Sequence, residues 1–204
     1  MTIISRRVVT PHPGRLDTVT ERLRIGAAAI QRAGGETLLM KITYGHMAGS
    51  IGLFGLFEDF LAATEASDKL AMDKEMQRVS KLRQDDPGGV MVGPDVLSLA
   101  YGTTNSKPVM VVRTYQVERN NLQAALEVLP GVEGLIKKTG ATVTGLIPMI
   151  SDNMDRLNVI YGFDNMKHMG ETLHTVGSSS DFQRFVDQAN KTGKLLSTRV
   201  QVSI

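Results

Sequence analysis

This chain carries one pattern twice. Slid against itself by 106 positions with no gap, it matches at ten pairs between Arg7 and Arg78. They are Arg7/Arg113, Leu16/Leu122, Glu21/Glu127, Leu23/Leu129, Ile30/Ile136, Gly34/Gly140, Phe57/Phe163, Glu65/Glu171, Gln77/Gln183 and Arg78/Arg184. Composition alone gives roughly four matches over such a window. The stronger constraint is that apolar periods and turn residues recur at the same offset, so the two halves specify the same packing faces.

Each copy reads βαββαβ. In the first, Ile3 to Thr10 is β-branched and stops at Pro11-His12-Pro13-Gly14, which predicts a strand and a turn. Leu16, Val19, Leu23, Ala27 and Ile30 recur at helical spacing up to Gly34-Gly35. Thr37 to His46 and Ile51 to Phe57 read as a hairpin. Glu58 to Arg83 reads as helix with a break near Asp73, and Asp95 to Tyr101 as the last strand.

The second copy repeats the order. A strand from Val109 to Val117 precedes a helical stripe from Leu122 to Ile136, which Pro130 should kink or split. Ala141 to Ile150 and Leu157 to Phe163 form the hairpin. Asp164 opens a helix that Gly177 and the serine run interrupt, Asp181 to Asn190 resumes it, and Leu195 to Ile204 closes the copy. Expected units are 1–102 and 108–204, joined by a small, polar linker at 103–107. The expected class is therefore α+β, with two tandem ferredoxin-like repeats. Each antiparallel sheet carries helices on one face and leaves the other bare. Set face to face, the two bare faces give a closed or nearly closed barrel within one chain.

Composition narrows the function. A net charge of +2, with no basic tract beyond Arg6-Arg7 and Lys137-Lys138, indicates neither nucleic acid nor an anionic membrane. Zero cysteines remove disulfides, thiolate metal sites and a cysteine nucleophile. No apolar stretch reaches membrane-spanning length and the first residues do not form a signal peptide, so a cytoplasmic protein is expected. Phosphate-loop, dinucleotide, zinc-protease and nucleophile-elbow motifs are absent, and no cofactor or metal is expected. Phe54 and Phe57 fall on opposite faces of their strand, which removes an RNA-recognition reading of the βαββαβ order.

The chain resembles the dimeric α+β barrel superfamily, which includes antibiotic biosynthesis monooxygenases and NIPSNAP-like, EthD-like and haem-degrading proteins. Arg113-Thr114-Tyr115-Gln116-Val117 is similar to the first strand of NIPSNAP-like chains, and Pro13-Gly14-Arg15-Leu16 to the turn before the first helix in many members. The resemblance implies a pocket, between sheet and helices or within the barrel, for a small apolar or aromatic molecule. It implies no single chemistry. A cofactor-free monooxygenase-like enzyme, a non-enzymatic ligand-binding or assembly protein, and a haem-binding variant all fit, as does a homodimer through the outer helices.

Few residues qualify for chemistry. Strand alternation sets His46 on the face of Tyr44, Ile42 and Met40. There, an imidazole beside a phenol can take a proton from an activated ring, which then reacts with oxygen itself. The alternative is a partly exposed histidine at a hairpin end. Arg7 and Arg113 lie mid-strand, Tyr115 shares the face of Arg113, and Arg199 alternates with apolar neighbours on the last strand. Either these arginines hold an anionic or polar ligand inside the barrel, or they pair with carboxylates as structural salt bridges. The expected set is His46 as base, Tyr44 orienting the substrate and Arg113 stabilising negative charge, with Arg7, Tyr115 and Arg199 as further ligand-binding residues. Asp164 and His168 read as a helix cap beside a surface histidine.

Overall fold

The computed structural model describes residues 1–104 and 106–204; Asn105, inside the expected linker, lies outside the described residues. The first copy runs β1 (Ile3–Pro11), α1 (Leu16–Arg32), β2 (Glu36–Gly45), β3 (Ile51–Phe57), α2 (Phe60–Met72), α3 (Lys74–Asp85) and β4 (Gly89–Tyr101). The second runs β5 (Val109–Gln116), α4 (Leu122–Leu126), α5 (Leu129–Ile136), β6 (Thr142–Ile150), β7 (Arg156–Phe163), α6 (Met166–Thr175), α7 (Ser180–Thr192) and β8 (Lys194–Ser203).

The 106-residue offset persists in the strand registers. Arg7 pairs with Leu53 and Arg113 with Val159; Glu36 pairs with Leu56 and Thr142 with Gly162. Both sheets have the same order, and together they close a barrel, β1-β3-β2-β8-β5-β7-β6-β4. The bare faces do enclose a common interior, as the sequence predicts. The seams, however, are edge to edge: β2 bonds to β8, and β4 to β6. Both edge strands of each half gain a ladder partner, which removes the unpaired N–H and C=O rows of an open sheet.

Strand alternation divides the apolar residues into three clusters. One lies between sheet and helices of the first half, around Val19, Leu23, Ile30 and Leu53. Its counterpart in the second half contains Leu129, Val132, Val159, Tyr161 and Phe182. The third fills the barrel with Ile4, Met40, Phe54, Met110, Val112 and Ile160.

Local differences have local causes. Pro130 sits at the first turn of α5, where its missing N–H costs nothing, so the long helix of the first half becomes two in the second. Asp73 breaks the other helical stretch: its extended backbone ends α2, and its carboxylate accepts the Met76 N–H at 3.0 Å to cap α3. β4 begins at Gly89, earlier than Asp95, because Gly93-Pro94 falls in a register shift opposite Arg7 and leaves the ladder intact on either side. Asn165, and not Asp164, caps α6, while His168 is largely covered, with its ring edge-on to Phe163 at 5.6 Å.

Candidate functional site

Each half has a chamber between its sheet and its helices, and the two are built at equivalent positions. In the second half the lining includes Arg113, Tyr115, Val132, Val159, Phe182 and Phe185. In the first, Arg7, Val9, Gly26, Leu53, Met76 and Val79 occupy the same places. The second chamber is filled by its own rings: the guanidinium of Arg113 lies 5.5 Å from the ring centre of Tyr161 and 5.6 Å from that of Phe182. Those contacts give the half-buried cation two π faces, each about 0.5–1 kcal/mol where water still reaches it. Only about 30 Å³ stays free.

The first chamber lacks that filling. Gly55 stands for Tyr161, Met76 for Phe182, Val79 for Phe185 and Gly26 for Val132, and about 90 Å³ is free. Arg7 donates one hydrogen bond, Nη1 to Ser5 Oγ at 3.0 Å, and among the described residues it has no carboxylate partner. Burial, then the like charge of Arg83, hold its pKa below the usual arginine range. Arg22 and Arg83 also line this chamber, where the second half has Val128 and Ala189. Arg22 is engaged by Asp86, with Nη1 donating to its carbonyl at 2.7 Å. Arg83 is exposed at the rim. The result is an apolar chamber with an excess of positive charge.

A third cavity, about 390 Å³, opens at one end of the barrel and is lined by polar groups including Arg6, His46, Thr114, Asn158 and Arg199. Gly45, at φ 80°, turns the chain where a Cβ would meet the Thr198 carbonyl, and the His46 amide then donates to that carbonyl at 3.1 Å. His46 is thereby tied beside Arg199, on the exposed rim of this cavity.

The expected catalytic set does not assemble. Arg113 and Tyr115 face the helices of the second half, whereas His46 borders the barrel end, so the barrel wall separates them. Tyr44 leaves the face of Met40 and Ile42 because the β2–β8 register shifts between Ile42 and Tyr44, and it is 61% exposed. Of the three strand arginines, Arg7 and Arg113 point to the helix layer, and Arg199 alone points into the barrel. None of the three forms an ion pair among the described residues. Arg6, Arg22 and Arg83 escaped the sequence reading. Aligning the halves at their own offset exposes two of them, because Arg22 and Arg83 stand against Val128 and Ala189.

No helix among the described residues is long and apolar enough to cross a membrane. No protein-family model matches the sequence, and a search of curated proteins found no match. Solved structures do match over nearly the whole chain. An anthrone oxidase-like protein superposes with a TM-score of 0.67 at 12% identity, over 100% of this chain and 91% of its own. A monooxygenase-like protein from Listeria innocua gives 0.53 at 9% identity, over 100% and 94%. A heme-degrading enzyme from Listeria monocytogenes gives 0.53 at 10% identity, over 98% of each chain. At such identities the likeness is one of fold. This chain has the fold of those structures, two ferredoxin-like α+β units whose sheets close one eight-stranded antiparallel barrel, with both sheets supplied by one polypeptide.

Proposed function

We propose that the protein binds a small aromatic anion in the chamber of its first half, with the ring against the apolar wall and the charge on Arg7 and Arg83. One observation carries this reading: equivalent positions hold Tyr161, Phe182 and Phe185 against Arg113 in the second half, and Gly55, Met76 and Val79 beside Arg7 in the first. A ligand ring supplies from outside what the second half supplies from its own sequence. The free 90 Å³ is less than the roughly 150 Å³ that encloses benzene in an engineered apolar core. Full enclosure therefore asks α3 to move outward between its tethers at Asp73 and Asp86, and α3 buries a single residue, Val79.

The oxygenase reading extends this binding mode. An activated phenol held as its anion reacts with dioxygen without a cofactor, and the arginines favour that anion electrostatically. Neither histidine nor carboxylate lines the chamber among the described residues, so it selects a ring that is already ionised.

Salicylate, followed by its own fluorescence, tests the site. Binding should be saturable, weaken about ten- to a hundredfold in Arg7→Met, and vanish when Met76→Phe and Val79→Phe together supply the rings that Phe182 and Phe185 supply in the second half. Salicylate bound equally well by the filled variant would refute the assignment. Oxygen uptake with the same phenol separates an enzyme from a binding protein.

A further inference from the structure

The barrel interior contains a charge that the fold does not use. Arg199 is only 7% exposed, its Nε is buried without a hydrogen-bond partner, and among the described residues no carboxylate meets it. Its neighbours are already committed. Arg6 donates Nε and Nη2 to one oxygen of Asp95, at 3.1 and 2.7 Å, and Ser151 Oγ donates to the other at 2.7 Å. Asp95 is therefore matched by Arg6, and Arg199 is surplus. Arg156 is engaged by Asp155, and the remaining lining carboxylate, Asp152, lies on the exposed rim. Burial, then the charge of Arg6, lower the Arg199 pKa to about 10, which leaves it a cation at neutral pH.

An unpaired buried charge is costly and persists only where something compensates it. The cavity around Arg199, at about 390 Å³, has room for more than a bare ion. Its wall also offers neutral donors. Thr114 Oγ1 donates to Asn158 Oδ1 at 2.9 Å, which fixes that amide, and among the described residues nothing accepts its side-chain N–H groups. Ser197 and His46 line the same space.

We propose that the polar end of the barrel is a second ligand site, distinct from the helix-side chamber, which takes a small hydroxylated carboxylate with its carboxylate on Arg199 and its hydroxyl groups toward Asn158 and Thr114. The two sites lie on opposite faces of the sheet, and they sort ligands by chemistry: an aromatic anion outside the barrel wall, a polar acid inside it.

The test uses the whole chain and malate, with inorganic phosphate and sodium chloride at matched ionic strength as comparators. Malate should raise the unfolding midpoint with the logarithm of its concentration above its Kd, by about 5–10 °C at a hundred times that value, while both comparators leave it unchanged. Arg199→Gln should weaken malate binding about a hundredfold, and Arg7→Met should leave it intact. In the wild-type protein the Nε–H resonance of Arg199 should shift with malate, a readout independent of whether a variant folds. Without ligand, Arg199→Met should unfold at a higher temperature, because it removes an uncompensated charge. A midpoint that malate leaves unchanged overturns the proposal, and so does binding unchanged in Arg199→Gln. A response to phosphate alone overturns the carboxylate class, and a lowered midpoint in Arg199→Met returns Arg199 to a structural role.

Discussion

At the scale of single residues, environment decides what a side chain does. Tyr101 closes β4 and donates its phenol hydrogen to Glu133 of α5, so the last strand of the first half is bonded to a helix of the second. Burial, then the hydrogen bond to Glu133, raise its pKa to about 12. An unfolded tyrosine loses that proton near pH 10. Between these values the folded chain holds more protons, so the contribution is full below about pH 10 and is lost as pH rises to about 12. Titration of phenolate absorbance should show a transition near pH 12 that Tyr101→Phe removes. A transition unchanged in Tyr101→Phe would mean that another phenol carries it. Nothing in the sequence joins Tyr101 to Glu133, because the contact depends on how the two halves close. His46 and Tyr44 show the converse. Strict alternation joins them in the sequence; in the fold a register shift before Tyr44 turns the phenol outward, and Gly45 at φ 80° turns the chain before His46, which borders the barrel end.

At the scale of elements, most of the architecture was legible, because each strand and helix is specified by periodicity and by its stop signals. The break at Asp73 was visible as a polar residue between two helical runs, but its mechanism needed geometry. Asp73 caps α3 and also accepts Nε and Nη2 of Arg32, at 3.1 and 2.7 Å, which pins the α2–α3 junction to the end of α1. Replacing Asp73 by alanine should destabilise the fold by about 0.5–2 kcal/mol in urea unfolding, mainly through the lost cap, since the exposed ion pair adds little. An unchanged midpoint would show that α3 needs no cap. The start of β4 was less legible. Gly93-Pro94 reads as a strand breaker, and only the register shift opposite Arg7 reveals that the strand continues through it. The orientation of the arginines was hidden for a related reason: parity says which residues of one strand share a face, but it does not say which face is the barrel.

At the scale of the molecule, duplication and divergence together make the account. The seams β2–β8 and β4–β6 mean that neither half satisfies its edges alone. A fragment of residues 1–102 should therefore associate, with a concentration-dependent dimer in sedimentation, while the whole chain closes its barrel internally. A stable, folded monomer of that fragment would contradict the seam argument. Two copies in one polypeptide need not be alike, and here one fills its chamber with aromatic side chains while the other has glycine and arginine at equivalent positions. The most direct measurement is a methyl-resolved NMR titration of the whole chain with salicylate. The methyl groups of Leu23, Leu53 and Val79 should shift saturably, while those of their counterparts Leu129 and Val159 stay still. Equal shifts in both halves, or shifts confined to the second, would contradict the claim that only the first chamber receives a ligand.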